Sequence, residues 1–492
     1  MARIAVNDLT FAYEGSYDNV FEQASFTVDT RWRLGLVGRN GRGKTTLLRL
    51  MQDLLPYRGS IDMPVKGVYF PFPVKAPSRL TLEVLEEMAA GAPPWKLRRE
   101  TNLLGVGEDA LYRPYETLSK GEQTKAQLAA LFSREDAYPL IDEPTNHLDL
   151  PGREAVGDYL LGKDGFLLVS HDRAFLNRCI DHVLSINRKD ITVTKGNFDT
   201  FQQEMDRQNQ YELGENERLK KDIRRLSESA RRTAQWSQNI EKSKRGGEYS
   251  GNSPDRGYIG ARSADMMKRA LSTQRRQERA AEEKGKLLKN VEKVGELKLT
   301  PLVHPKKVLA EVRHGTVRYG EKVVCRDIAF TLRQGERLAL SGRNGAGKSS
   351  VLKTLCGLSE ALAGEIAIAP NLIVSYVPQS TEGLRGTLRE FIGRTNLNET
   401  LFKAILRNMD FGREQFDKDL PELSEGQKKK VLLAQSLCEP AHLYVWDEPL
   451  NFIDVLSRMQ VEELLLEYQP TMLLVEHDRA FLEKVCTGIV EL

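Results

Sequence analysis

Apolar and polar positions alternate from Ile4 to Tyr13 and from Ala24 to Thr30, the two-residue period of half-buried strands. Arg33 to Val37 then reads as a short strand running into GRNGRGKTT, after which Thr45 to Gln52 changes to helical spacing. Strand, GxxxxGK[ST] and helix in that order make a phosphate cradle, because loop amides and a helix N-terminus aim positive partial charge at one place. Farther along, one apolar run ends in Asp142 and Glu143, and another, Phe166 to Ser170, ends in front of His171. Both read as buried strands whose carboxyl ends deliver polar groups beside the cradle.

The whole series then returns. GRNGRGKTT at Gly38 to Thr46 reappears as GRNGAGKSS at Gly342 to Ser350, LSKGEQ at Leu118 as LSEGQK at Leu423, and LIDEP at Leu140 as VWDEP at Val445. SHDRAFL at Ser170 reappears as EHDRAFL at Glu476. The offset is 304 residues for Lys44 and Lys348, 305 for Asp142 and Asp447, and 306 for His171 and His477. A long repeat with so constant an offset predicts two homologous α/β domains, residues 1–200 and 301–492.

The chemistry expected of each copy is phosphoryl transfer from ATP. Lys44 and Lys348 reach the β and γ phosphates, and the hydroxyls of Thr45 and Ser349 hold Mg²⁺. Asp142 and Asp447 complete the metal shell through water, while Glu143 and Glu448 position or deprotonate the attacking water. His171 and His477 are expected to contact the γ phosphate. Leu-Ser-x-Gly before each long helix (Glu122 to Phe132, Gln427 to Cys438) reads locally as an ordinary serine N-cap. That does not explain why glycine recurs in the same place.

Residues 201–300 differ from the rest in charge: they hold 23 Lys and Arg against 16 Asp and Glu, and the remaining chain 49 against 53. Leu219, Ile223, Leu226, Ala230 and Thr233 step by 4, 3, 4 and 3, a seam for one partner helix. Met267, Leu271, Leu287, Leu288, Val291 and Val294 offer a returning face, so an antiparallel helical pair is predicted, each arm about 35 residues and about 50 Å long. Gly246, Gly247, Gly251, Pro254, Gly257 and Gly260 break the helices at a tip spanning 242–266. Arginine outnumbers lysine here and aromatics sit at the tip, a mixture suited to phosphate contact and stacking on unpaired bases. RNA is the expected ligand, through Arg245, Tyr249, Arg256, Tyr258, Ile259 and Arg262.

No apolar run approaches the roughly 20 residues of a membrane span, and MARIAVNDLT is no secretory leader, so a cytoplasmic chain with no membrane partner is expected. The five cysteines are scattered and never paired as CxxC, which suggests neither a disulfide framework nor a zinc site.

Taken together, these motifs resemble the ATP-binding-cassette superfamily: Walker A, Leu-Ser-x-Gly signature, Walker B with Asp-Glu, and a switch histidine, twice and in order. The resemblance implies two tandem cassettes joined by an antiparallel, coiled-coil-like helical linker and facing head to tail within a monomer. It implies one ATP site on Gly38, Arg39, Asn40, Gly41, Arg42, Gly43, Lys44, Thr45 and Thr46, closed by Ser424 and Gly426. The other would lie on Gly342, Arg343, Asn344, Gly345, Ala346, Gly347, Lys348, Ser349 and Ser350, closed by Ser119 and Gly121. Tyr13 and Tyr319 match the aromatic on which adenine stacks, and Gln379 in YVPQS matches a Mg²⁺-binding glutamine. The first copy has Phe72 in YFPFP instead, and an apolar ring cannot ligate a metal. The two sites are therefore expected to differ in rate.

A tandem cassette with a basic helical linker is similar to the ABC-F family, which binds the bacterial ribosome at the exit-tRNA site. LTFAY, LGLVGRNGRGKTTLLRL, YPLIDEPTNHLDL, GYIGARSADMMKRA and VWDEPLNFIDV look like its Lsa-type antibiotic-resistance subgroup. That likeness implies protection from lincosamides, pleuromutilins and streptogramin A, with the tip acting near P-site tRNA and ribosomal RNA. A housekeeping ABC-F translation factor and a fused transporter ATPase pair are the alternatives.

Overall fold

The computed structural model describes residues 2–14, 19–135, 137–146, 148–187, 190–243, 268, 272–273, 275–276 and 298–492. The chain divides into two compact units, Met1–Phe201 with Gly295–Leu492, and Gln202–Val294.

In the first unit each repeat builds a mixed α/β domain from two sheets. The first domain has a six-stranded sheet in the order Lys66–Phe70, Ala137–Asp142, Phe166–Val169, Arg33–Val37, His182–Ile186 and Ile191–Lys195, parallel except for the last strand. The second has five parallel strands: Val374–Val377, Leu443–Asp447, Met472–Val475, Arg337–Ser341 and Gly488–Glu491. Strands such as FLLV and MLLV are buried along their whole length, because helices cover both faces of a parallel sheet. Each domain adds a three-stranded antiparallel sheet in which the predicted alternation is visible: Arg3–Phe11 lies between Phe21–Asp29 and Arg58–Asp62, and Val308–Tyr319 between Lys322–Arg333 and Leu362–Ile368.

Register then places the chemistry. Asp142 pairs with Val169, so the carboxylate strand and the strand before His171 end side by side, one strand away from the glycine loop. Asp447 and Val475 repeat the arrangement. Both long helices start earlier than the sequence suggests, at Lys120 and Glu425, because Ser119 and Ser424 cap them with full capping boxes through Glu122 and Gln427. All five cysteines are free thiols.

In the second unit the ascending arm belongs to one uninterrupted helix, Phe198–Ser243, of 46 residues. It is about 70 Å long rather than about 50 Å, since it contains no proline and the single Gly214 does not break it. Leu219, Ile223 and Leu226 are half-buried while Arg218, Arg224 and Arg225 are exposed, as a one-sided seam requires. The tip candidates Arg245, Tyr249, Arg256, Tyr258, Ile259 and Arg262 lie outside the described residues, as do the apolar positions of the returning arm.

Candidate ATP sites

The first glycine loop owes its shape to left-handed glycines. Gly41 and Gly43 have φ of 84° and 89°, and a Cβ on Gly43 would stand 2.5 Å from Val20 Cγ1. Gly345 and Gly347 repeat this at 81° and 94°. Lys44 Nζ donates to the carbonyls of Gly38 (2.6 Å) and Arg39 (3.2 Å), and Lys348 Nζ to those of Gly342 (2.7 Å) and Arg343 (3.0 Å). The ammonium groups are thus already drawn into the loops where phosphate oxygens would sit. Thr45 Oγ1 donates to Asp142 Oδ2 at 2.9 Å, and Ser349 Oγ to Asp447 Oδ1 at 3.1 Å. Tyr13 and Tyr319 keep exposed rings, their hydroxyls tied to Thr46 and Ser350.

A cavity of about 450 Å³ gathers Tyr13, Lys44, Thr45, Asp142, Glu143 and His171 of the first domain with Ser424, Gly426 and Phe452 of the second. The first composite set predicted from the sequence is brought together there. Gly426 has to be glycine: a Cβ would stand 2.5 Å from the Phe452 carbonyl and 2.9 Å from Asn40 Nδ2. Asn40 crosses the domain boundary twice, with Nδ2 donating to the Phe452 carbonyl at 2.7 Å and its amide to Asp454 Oδ2 at 3.3 Å. Arg42 crosses to Asp410 at 3.1 Å. At the second loop Arg343 and Asn344 are exposed and Gly121 is half-buried where Gly426 is buried, while Ser119 and Ser424 are both exposed. Among the described residues, groups reaching across there include Asp149, whose charge attracts Lys348, and Arg153, whose Nη1 donates to the His477 carbonyl at 3.2 Å. The two loops are therefore covered unequally.

The glutamates also differ. Glu143 and Glu448 hold the left-handed backbone, φ 51° and 49°, that non-glycine residues adopt chiefly under constraint. Glu448 Oε2 accepts from Asn451 Nδ2 at 2.6 Å, its carboxylate also accepts from Gln379, and His477 Nε2 lies 3.5 Å from Oε1. Burial raises this acid, but the His477 and Gln379 hydrogen bonds outweigh it and bring the pKa down to about 2. Glu143 has Phe72 where that glutamine would be. Burial first, and then the charge of Asp142, push it up to about 8. His171 Nε2 is 3.2 Å from Glu143 Oε1, and burial drives the imidazole well below its ordinary value, so near neutral pH both partners lean toward uncharged forms.

These directions give opposite signs to equivalent substitutions in nucleotide-free, chelator-treated protein. The raised acid costs stability from the unfolded value of about 4.5 upward, in full above about 8. The depressed one contributes stability above about 4.5 that is lost on acidification toward about 2. At pH 7.5, Glu143→Gln is expected to raise the melting temperature by about 3 °C and Glu448→Gln to lower it by about as much. Differential scanning fluorimetry checks this, and shifts of equal sign would contradict it.

Several residues of the site are not evident from the motifs. Tyr69 donates its hydroxyl to Asp142 Oδ2 at 2.9 Å. Asp454 takes Lys430 Nζ at 2.9 Å; burial pushes its carboxyl up, but Lys430 and Lys44 outweigh that and hold it well below the usual range. The repeated aspartates of EPTNHLD and EPLNFID were the available signal. Phe72 is anchored by its backbone, the amide donating to Gln127 Oε1 at 2.9 Å.

The family model described as ABC transporter matches residues 21–146 and 325–451. The ribosome protection protein VmlR of Bacillus subtilis is 30% identical over 485 residues, covering 96% of this chain and 84% of that protein. The chain belongs to the ABC-F family of ABC ATPases. Other ABC-F relatives are the ATP-binding protein Uup of Caulobacter vibrioides, 29% identical over 96% of this chain and 74% of its own length, and the energy-dependent translational throttle protein EttA of Mycobacterium tuberculosis, 26% over 93% and 86%. Among solved structures, the archaeal ribosome recycling factor aABCE1 in complex with ribosomal stalk protein aP1 superposes with a TM-score of 0.63 at 20% identity, covering 98% and 87% of the two chains, a likeness of fold. This ABC-F chain is an ATP hydrolase with two tandem ABC ATPase domains. ABC ATPase domains use ATP, normally with Mg²⁺. The oxygen-only donors here suit a hard cation, and Asp447 Oδ2 is buried with no hydrogen-bond partner, as a ligand atom awaiting a metal would be. Among the described residues no helix is long and apolar enough to cross a membrane.

Proposed function

We propose that this ABC-F ATPase binds the bacterial ribosome at the exit-tRNA site and protects it from lincosamides, pleuromutilins and streptogramin A in the manner of the Lsa-type subgroup. The observation carrying this reading is the 30% identity to a ribosome protection protein over 96% of this chain and 84% of that one. The basic charge and tip aromatics of residues 201–300 support contact with ribosomal RNA and P-site tRNA, through Arg245, Tyr249, Arg256, Tyr258, Ile259 and Arg262. On this reading residues 1–200 and 301–492 are the cassettes, 201–300 the linker, and the protein works as a cytoplasmic monomer.

In the cycle, Lys44 with Thr45, and Lys348 with Ser349, bind the phosphates of one ATP each. Ser424 with Gly426, and Ser119 with Gly121, close over them from the opposite cassette. Thr45 with Asp142, and Ser349 with Asp447 and Gln379, hold Mg²⁺, which when bound neutralises charge developing on the transferred phosphoryl group. Glu143 and Glu448 orient the attacking water, and His171 and His477 steady the γ phosphate. Closure sets the linker in its ribosome-binding pose and hydrolysis releases it.

The test is co-sedimentation of Glu143→Gln/Glu448→Gln protein with bacterial ribosomes and ATP, alongside drug susceptibility of cells expressing the intact chain or one lacking residues 242–266. The expected result is ribosome binding by both forms and drug protection by the intact chain alone. Absence of binding by either form would overturn the ribosomal reading. The similarity to the translational throttle protein EttA favours a second reading, a translation factor without drug relief; ribosome binding with unchanged susceptibility would select it.

A further inference from the structure

Helix Glu425–Cys438 opens on the first ATP site, since Ser424 and Gly426 line its cavity. One turn farther it carries two lysines that are each 2% exposed. Adjacent residues on a helix point about 100° apart, so the pair must serve different neighbours. Lys430 Nζ donates to the Met409 carbonyl at 2.6 Å and to Asp454 Oδ2, the oxygen that also takes the Asn40 amide of the first glycine loop. Lys429 Nζ turns the other way. It donates to the Pro378 carbonyl at 3.0 Å and the Glu448 carbonyl at 3.1 Å, tying the residue before Gln379 to the glutamate that Gln379 bonds.

A buried ammonium requires compensating anions. Burial lowers the pKa of Lys429, and the groups opposing that are Glu476 first, then Glu448, Asp447 and Glu425. Glu476 is itself fixed by the amides of Leu450 (2.8 Å) and His477 (3.1 Å). The first cassette has neither member of this arrangement. Thr124 stands in place of Lys429 and bonds within its own helix to the Lys120 carbonyl. Ser170 stands in place of Glu476, 3.2 Å from Thr145 Oγ1. Phe72, in place of Gln379, is anchored to Gln127 of the neighbouring helix rather than to Glu143.

We propose that Lys429 is a positioning residue that transmits closure of the first ATP site to Gln379 and Glu448 at the second, so that nucleotide in the first site accelerates hydrolysis in the second. The device has no counterpart in the first cassette: one rigid helix touches the first site with its opening turn and with Lys430, and the second with Lys429. This coupling rests on the reading of both glycine loops as ATP sites.

The test uses the full chain. Radiolabelled ATP binding counts two nucleotides per Glu143→Gln/Glu448→Gln chain and one after Lys44→Ala; any other count overturns the site reading and the coupling with it. Single-turnover hydrolysis is then followed in the Glu143→Gln background, where the second site is the one that turns over. Lys44→Ala is expected to slow it about tenfold, an ordinary strength for coupling between sites. Lys429→Thr alone is expected to slow it by the same factor with KM unchanged, to leave no further effect for Lys44→Ala, and to be rescued by Lys429→Arg. A Lys429→Thr chain that hydrolyses at the native rate, or that Lys44→Ala still slows tenfold, overturns the proposal. Should the single variant not fold, Lys429→Thr/Glu476→Ser, which reproduces the first cassette and removes both buried charges, carries the same expectation.

Discussion

Glu448→Gln is expected to cut steady-state ATP turnover about 100-fold, the range for removing a positioned general base, whereas Glu143→Gln costs about threefold or less. The asymmetry follows from what surrounds each acid. Each glutamate has its histidine alongside, but only the Glu448 carboxylate is also oriented by Asn451 and Gln379, while its backbone is braced by Lys429. Around Glu143 the matching loop offers Phe72, and the carboxyl is held by burial and by Asp142 toward its protonated form. The first site, whose glutamate lacks the Gln379 and Asn451 braces, is expected to hold ATP longer than the second. Single-turnover rates of the two variants measure this directly, and equal rates would remove the argument.

Removing one member of the buried pair between the cassettes is expected to have the largest effect on stability. Arg173 forks onto Glu462, Nη1 lying 3.1 Å from Oε2 and Nη2 contacting Oε1, and Lys484 adds a third donor at 3.3 Å. The Glu462 side chain is wholly buried, so Glu462→Ala leaves the Arg173 guanidinium without its counter-charge in a desolvated interface. Such losses cost about 3–5 kcal/mol, which lowers the melting temperature by about 10 °C. Glu154→Ala is the control. Glu154 meets Arg479 across the same boundary at 3.5 Å but both side chains are more than half exposed, and its removal is expected to shift the transition by about 1 °C or less. Thermal denaturation of the two variants separates the cases, and comparable shifts would show that the buried fork contributes little.

Much of the catalytic layout could be read without coordinates because its parts are local. A strand, a glycine loop and a helix announce themselves within the eighteen residues from Arg33 to Leu50, and the repetition of Asp142–Glu143 as Asp447–Glu448 marks those carboxylates out. Gly426 was legible for the same reason, since it recurs as Gly121. What escaped was non-local. Nothing in the spacing shows Asn40 bonding to the Phe452 carbonyl, 412 residues away, because that contact depends on how two finished domains meet. Tyr69 lies within a strand, and its hydroxyl matters only because the neighbouring strand ends at Asp142. Lys429 and Lys430 continue a run of three lysines from Lys428, yet both are interior. A string of charges on a helix has no face until its partners are known. The ascending linker arm was underestimated for a simpler reason: its apolar seam begins at Leu219, but polar helix formers extend the helix back to Phe198.

Because both cassettes lie on one polypeptide, their encounter needs no second molecule and its probability is independent of protein concentration. The same covalent link frees the two halves from symmetry. In a homodimer every substitution appears in both composite sites at once, so a phenylalanine at one loop would be a phenylalanine at the other. In this chain Phe72 and Gln379, Thr124 and Lys429, and Ser170 and Glu476 occupy equivalent places with different chemistry. Tandem duplication thereby leaves each nucleotide pocket free to change without changing the other.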